Sequence, residues 1–98
     1  MSEENVTIAD APERNQYEIH VDGTLAGVAV YTRTPGEIVY EHTEVEDAFE
    51  GRGLAGRLVK FALDDSRERG EHVIARCPYV RDYIRKHPEY ADLTHRHA

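Results

Sequence analysis

The fold is decided at residues 45–59, which read VEDAFEGRGLAGRLV. Apolar residues recur with helical spacing after Gly53, so a helix is predicted to begin there. Three glycines stand at this start, Gly51, Gly53 and Gly56, although each glycine inside a helix costs about 1 kcal/mol relative to alanine. Backbone N–H groups at a helix start lack partners within the helix, and glycine allows a phosphate to approach them closely. The glycines therefore favour a phosphate site.

The same segment is basic within an acidic chain. The chain has 12 Lys and Arg against 19 Asp and Glu, which gives a formal net charge of −7. Residues 51–62 nevertheless contain Arg52, Arg57 and Lys60 and no acid. Acidic residues are usual in the first turn of a helix, whereas this start has Arg52 and then Arg57. A bound anion would remove this mismatch, whereas the overall charge argues against nucleic acid as a partner.

Three strands are predicted before this segment. Apolar and polar residues alternate over 16–21, which is typical of a half-buried strand. The turn dipeptide Asp22-Gly23 connects this strand to a β-rich run over 25–32. A further turn leads to a third strand over 37–45, which is rich in β-branched and aromatic residues.

A strand and a second helix are predicted after the first helix. The first helix is expected to end near Gly70, because glycine is a frequent stop signal. Residues 72–76 are typical of a strand, and a helix over about 78–86 follows, because Pro78 fits a first turn. The predicted order is strand, strand, strand, helix, strand, helix.

The glycine segment has three other interpretations, of which one stays open, one fits poorly and one is excluded. Tight packing of the helix on the sheet, with Asp47 or Glu50 capping the helix, explains the spacing equally well. A G-x-G-x-x-G dinucleotide site fits poorly, because the glycines follow three predicted antiparallel strands rather than opening a βαβ unit. A P-loop is excluded because the segment has no Gly-Lys-Ser/Thr.

Length and composition predict one domain over residues 1–98, and residues 1–14 and 94–98 are expected to be prone to disorder. The apolar runs are far shorter than the roughly 20 residues of a membrane span. The acidic N-terminus does not resemble a secretory signal, so a cytoplasmic location is expected. The single cysteine cannot form an internal disulfide, and the histidine spacing does not predict a metal site.

Four motifs, in this order, resemble a known family. They are His42-Thr43-Glu44-Val45, Gly51-Arg52-Gly53-Leu54-Ala55, Cys77-Pro78 and Lys86-His87-Pro88-Glu89-Tyr90. Over about residues 16–93 the chain resembles the short GNAT acetyltransferases of about one hundred residues. Gly53 and Ala55 match the small positions of the GNAT signature Q/R-x-x-G-x-G/A, while Glu50 departs from its first position. The resemblance implies a minimal α+β fold with a mixed, mostly antiparallel sheet of four to five strands and two to three helices.

The resemblance also implies an N-acetyltransferase that uses acetyl-CoA as acyl donor. The backbone of Thr43, Glu44 and Val45 would pair with the pantetheine like an added strand. The pyrophosphate would be held by the amides of Gly51, Arg52, Gly53, Leu54, Ala55 and Gly56. The acceptor would be an amine of a small molecule or a protein. The alternative is a non-catalytic CoA-binding or protein-interaction module, which the acid at Glu50 favours.

Three residues are candidates for catalysis. Cys77 stands at a predicted helix start, where a thiol is often reactive, and is a candidate acyl acceptor or else a small core residue. His42 is a candidate general base, and strand alternation predicts that it shares one face with Tyr40 and Glu44. Tyr83 corresponds loosely to the tyrosine with which GNATs protonate the departing CoA thiolate, although a packing role is equally open.

Overall fold

A five-stranded sheet organises the computed structural model, which describes residues 4–95. The strands are β1 (Val6–Ala11), β2 (Gln16–Val21), β3 (Thr24–Thr34), β4 (Glu37–Val45) and β5 (His72–Ala75). They lie side by side in chain order, and every neighbouring pair is antiparallel except β4 and β5, which are parallel. The helices are α1 (Leu54–Glu68) and α2 (Pro78–Lys86), with short 3₁₀ helices at Pro12–Arg14, Asp47–Phe49 and Pro88–Thr94. The predicted α+β fold with a mixed, mostly antiparallel sheet is confirmed.

Strand β1 corrects the expectation that residues 1–14 are disordered. It pairs with β2 along its whole length. Ile8 packs against the core, and Asp10 accepts a hydrogen bond of 2.5 Å from the hydroxyl of Tyr31. At the other end of the chain, the carbonyl of Thr94 lies 3.1 Å from Nε2 of His72. The same expectation covered residues 1–3 and 96–98, which lie outside the described residues.

Both helices cover one face of the sheet because each has a single apolar stripe. The buried residues of α1 are Leu54, Leu58, Val59, Ala62, Leu63 and Ser66, and those of α2 are Val80 and Ile84. Their partners on the sheet include Tyr17, Ile19, Ile38 and Tyr40, all of which are fully buried. Since α1 connects β4 to the parallel strand β5, its first residue lies at the end of β4 where the chain leaves the sheet.

A one-residue bulge interrupts β4 near its middle. Tyr40 pairs with Tyr31, but His42 pairs with the adjacent residue, Val30. Glu41 is therefore the extra residue of the bulge and has no register partner on β3, although its carboxylate accepts a hydrogen bond from Thr32 at 3.1 Å.

The bulge exchanges the buried and exposed positions of β4 beyond it. Tyr40 is buried under the helices, whereas His42 and Glu44 are exposed, and the half-buried residues after the bulge are Thr43 and Val45. The expectation that Tyr40, His42 and Glu44 share one face is wrong, because one added residue shifts a pattern of period two.

Strands β4 and β5 separate at the bulge. The carbonyl of Tyr40 accepts hydrogen bonds from the N–H groups of both Arg76, at 3.1 Å, and Cys77, at 2.9 Å. Beyond this point the chain after β5 turns into α2, while β4 continues to Val45 and pairs only with β3 among the described residues. Residues 41–45 thus present an open strand edge.

Gly27 on β3 is required by the close approach of β4. A Cβ at this position would lie 2.9 Å from the backbone oxygen of Glu44 and 3.2 Å from Cγ2 of Val45. We expect Gly27→Ala to lower the free energy of unfolding by about 1–3 kcal/mol, because the strands must move apart. Urea denaturation measures this loss.

The matched control is Gly56→Ala, where the nearest atom lies at 3.6 Å, an ordinary contact distance. Alanine within a helix is favoured over glycine by about 1 kcal/mol, so this variant should be as stable as the parent protein or more so. Equal stability of the two variants would contradict the steric account of Gly27.

Candidate functional site

The start of α1 has the features of an anion site. Its N-cap is Gly53, which adopts a left-handed conformation with φ of 72°, and Gly51 is also left-handed with φ of 82°. No side chain among residues 4–95 caps the helix, and its first turn has no acidic residue. The backbone N–H groups of Leu54, Ala55 and Gly56 therefore lack acceptors within the helix.

Neither of the two acids considered as caps has that role. Asp47 begins the 3₁₀ helix Asp47–Phe49, and the N–H of the next residue, Glu50, donates to the carbonyl of Asp47 at 3.3 Å. Both side chains are exposed. Arg52 turns back over the ring of Phe49, 5.4 Å from its centroid, and forms an ion pair with Glu4. The interpretation in which Asp47 or Glu50 caps α1 is wrong, and the interpretation as a phosphate site stays.

A groove of about 420 Å³ connects this helix start to the open edge of β4. We call it the edge groove, and its lining residues are Thr43, Val45, Phe49, Glu50, Gly51, Gly53, Leu54, Ala55 and Tyr79. It brings together most of the residues predicted to bind a cofactor. Glu44 lies between Thr43 and Val45 with its side chain exposed, so only its backbone belongs to the open edge.

Cys77 lies at the inner end of the open edge. It is the N-cap of α2, as predicted, and its side chain is 3% exposed. Its Sγ donates to Oγ1 of Thr43 at 3.4 Å. The thiol therefore joins the start of α2 to the first inward-facing residue after the bulge.

Tyr83 lies farther along α2. It follows Cys77 by six residues, which corresponds to about 9 Å along a helix. Its ring stacks on that of His87 with 3.9 Å between centroids. Burial raises the pKa of Tyr83, and the charge of Lys60 opposes only part of the rise, so the phenol stays protonated at neutral pH.

The three catalytic candidates are not gathered in one place. Cys77 contacts Thr43 of the edge groove, and Tyr83 lines a different groove. His42 points to the opposite face of the sheet from Thr43, because the two are adjacent residues of a strand.

Sequence reasoning missed this second groove, which has a volume of about 480 Å³ between α1 and α2. We call it the basic groove, and its lining residues are Gly53, Gly56, Arg57, Lys60, Tyr79, Asp82, Tyr83, Lys86 and His87. Arg57 and Lys60 belong to one helix and Lys86 to the other. The signal available in the sequence was that these cations have helical spacing, but the sequence does not show which helix faces meet.

Within residues 4–95, no group of three or more His, Cys, Asp or Glu side chains is arranged to hold a metal ion. Neither α1 nor α2 combines the length and apolarity that a membrane span needs.

Comparison with known proteins finds relatives over the region that forms both grooves. The family model for GCN5-related N-acetyl-transferase matches residues 16–93. Protein NATD1 of Gallus gallus is 34% identical over 85 residues, which are 85% of this chain and 77% of that protein. Protein NATD1 of Mus musculus is 35% identical over 78 residues, which are 78% of this chain and 71% of that protein.

Two solved structures share the fold. A GCN5-like protein of Staphylococcus aureus, solved by NMR, has a TM-score of 0.69 and 24% identity, and the match covers 96% of this chain and 98% of that one. The ribosomal-protein-alanine N-acetyltransferase of Brucella melitensis biovar Abortus has a TM-score of 0.57 and 24% identity, over 78% of this chain and 59% of that one. Both likenesses concern the fold.

The burial of Cys77 changes what is expected of its reactivity. A helix start predicts a reactive thiol, but reagents cannot reach a sulfur that is 3% exposed and packed on Thr43. We expect iodoacetamide to alkylate Cys77 slowly in the native protein and Thr43→Ala to increase the rate, as measured by mass spectrometry. Thr32→Ala, at an exposed position of β3, is the control. A native rate equal to the rate in urea would contradict the burial of the thiol.

Proposed function

Since this chain belongs to the GCN5-related N-acetyltransferase family, we propose that it binds acetyl-CoA in the edge groove and transfers the acetyl group to an amine. The observation that carries this proposal is the uncapped start of α1 beside the open edge of β4. The helix start offers N–H groups to a pyrophosphate, and the strand edge offers backbone groups to the amides of pantetheine.

The backbone at the helix start fits a pyrophosphate. An ideal Cβ on Gly51 or Gly53 would meet no atom within 4 Å, so the space beside the backbone is open. The N–H groups of residues 54–56 and the positive end of the α1 dipole favour an anion there. Glu50 lines the groove but is exposed, so water and salt screen its charge.

The open edge of β4 fits the pantetheine arm. Its backbone N–H and C=O groups over residues 41–45 can pair with the two amides of the arm as an added strand would. Thr43 and Val45 line the groove beside this edge. Bonds from Arg76 and Cys77 to Tyr40 close its inner end, so the thiol end of the arm would stop near Cys77.

The transfer itself needs little covalent chemistry from the protein. Acetyl-CoA supplies an acetyl group activated as a thioester: the acceptor nitrogen attacks the carbonyl carbon, and the bond from carbon to sulfur breaks. The nitrogen loses one proton, the CoA thiolate takes up one, and CoA leaves as the thiol. The chain contributes by fixing the donor along a rigid strand. Backbone N–H groups at the open edge can polarise the thioester carbonyl.

The roles of the side chains follow from their positions. Direct attack by the amine fits the buried Cys77 better than a relay through its thiol. His42 is exposed on the face of the sheet opposite Thr43, so its role as the base stays a prediction. That Tyr83 protonates the departing CoA thiolate stays a prediction. Its position beside Gly56 favours contact with the pyrophosphate of CoA instead.

The second candidate function is CoA binding without acetyl transfer. A transferase places its acid and base beside the reacting atoms. Here His42 and Tyr83 lie apart from the contact between Cys77 and Thr43, and this separation favours binding without transfer. Turnover of acetyl-CoA with a panel of small amines and lysine-containing peptides separates the two functions. Release of CoA that depends on the amine supports transfer, and its absence with tight binding supports the second candidate.

Gly53→Val is expected to weaken acetyl-CoA binding about tenfold or more, because the side chain would stand between the phosphate and the amides. Gly70→Val is the matched control: Gly70 follows the same helix, is left-handed with φ of 68°, and also has open space around an ideal Cβ. Both variants carry a similar backbone strain of about 1–2 kcal/mol. Isothermal titration measures affinity and urea denaturation measures stability. Equal loss of affinity in both variants would contradict the phosphate site.

Cys77→Ala tests the route of the acetyl group. If the amine attacks directly, this variant should keep transfer near the wild-type rate, and wild-type protein should not accumulate an acetylated thiol. Cys77→Ser keeps a hydrogen-bonding group beside Thr43 and controls for packing. Loss of transfer in both variants, together with acetylated Cys77 in mass spectra of the parent protein, would establish the thiol relay instead.

A further inference from the structure

Both lysines of the chain line the basic groove, one from each helix. Lys60 comes from α1 and Lys86 from α2, and Arg57 lies three residues before Lys60. Positive side chains of α1 and α2 thus lie on one surface, although the net charge of the chain is −7. This local excess indicates an anionic ligand.

Nearby carboxylates compensate these cations only in part. Lys60 lies 2.9 Å from Asp64, and Lys86 lies 3.1 Å from Asp82. Both pairs are exposed, and exposed ion pairs typically contribute less than about 1 kcal/mol, so either lysine can turn to a phosphate. Among the residues that the structure describes, Arg57 has no ion-pair partner.

The basic groove continues the edge groove. The two share Gly53 and Tyr79, and the ring of Tyr79, 42% exposed, stands between them. A pyrophosphate at the start of α1 has two substituents, pantetheine and an adenosine that bears a 3′-phosphate in CoA. If pantetheine follows the edge groove, the adenosine leaves on the other side of Gly53, where the basic groove begins.

Resting on the proposed function, we propose that the basic groove binds the 3′-phosphate of CoA through Arg57, Lys60 and Lys86. The protein then selects CoA over dephospho-CoA, which lacks only this phosphate. The exposed face of Tyr79 is available to the adenine ring.

Titration of the full chain with CoA and with dephospho-CoA at low ionic strength tests the proposal. CoA should bind about tenfold more tightly, as charge-assisted hydrogen bonds to one phosphate would give. In the double variant Lys60→Gln with Lys86→Gln, this ratio should fall to about twofold or less, while the affinity for dephospho-CoA stays the same. Salt should reduce the ratio in the wild type but not in the double variant.

Arg85→Gln is the matched control. Arg85 neighbours Lys86, is exposed and pairs with the same Asp82, but it does not line the basic groove. Arg85→Gln removes one positive charge, as the loss of one lysine does. It should leave the ratio of the affinities for CoA and dephospho-CoA at the wild-type value. Equal affinity of the wild type for the two ligands, or an unchanged ratio in the double variant, would overturn this inference alone. Failure of both ligands to bind would overturn the proposed function and this inference with it.

Discussion

Two groups of one residue, the hydroxyl and the carbonyl of Tyr40, hold together the elements that form the site. The hydroxyl is buried, donates to the carbonyl of Ala62 at 2.9 Å and lies 2.6 Å from Oγ of Ser66, which fixes β4 under α1. Burial raises the pKa of Tyr40, so the hydroxyl keeps its proton. The carbonyl binds the N–H groups at the start of α2. The bulge begins at the next residue, so the opening between β4 and α2 starts from a fixed point.

A polar network holds the opposite end of the sheet, away from both grooves. Arg33 on β3 lies 2.6 Å from Glu71, which precedes β5, and 3.1 Å from Asp10 on β1. The hydroxyl of Tyr17 donates to Asp65 of α1 at 2.6 Å. Burial alone would raise the pKa of Asp65, but hydrogen bonds from Tyr17 and Arg69 outweigh it and lower the pKa. The edge strand β1 and the end of α1 are thereby tied to the sheet by partly buried charges that have partners.

Local patterns in the sequence predicted most of the fold and the glycine-containing start of α1. The strand over 16–21 and the helix over 78–86 have the predicted bounds, because alternation, turn dipeptides and proline act over a few residues. Strand β1 was missed because it is short, directly precedes Pro12 and lies in an acidic segment, and because it is held by pairing with β2 and by the bond from Tyr31 to Asp10.

Features set by the pairing of elements could not be predicted. The direction of His42 depends on the register between β3 and β4, and one extra residue reverses it. The basic groove depends on which faces of α1 and α2 meet, and no local pattern specifies that. The burial of Cys77 likewise depends on Thr43, which lies on another strand.

The open edge of β4 has a cost that the neighbouring acids reduce. An unpaired strand edge can join the same edge of another copy, which leads to aggregation. Here Glu41, Glu44 and Glu46 lie along or directly after that edge. Two such edges brought together would also bring these carboxylates together, and the repulsion disfavours self-association. An uncharged ligand, such as the pantetheine arm of the proposed cofactor, would not meet this repulsion, so the acids on this edge disfavour a second copy of the chain more than such a ligand.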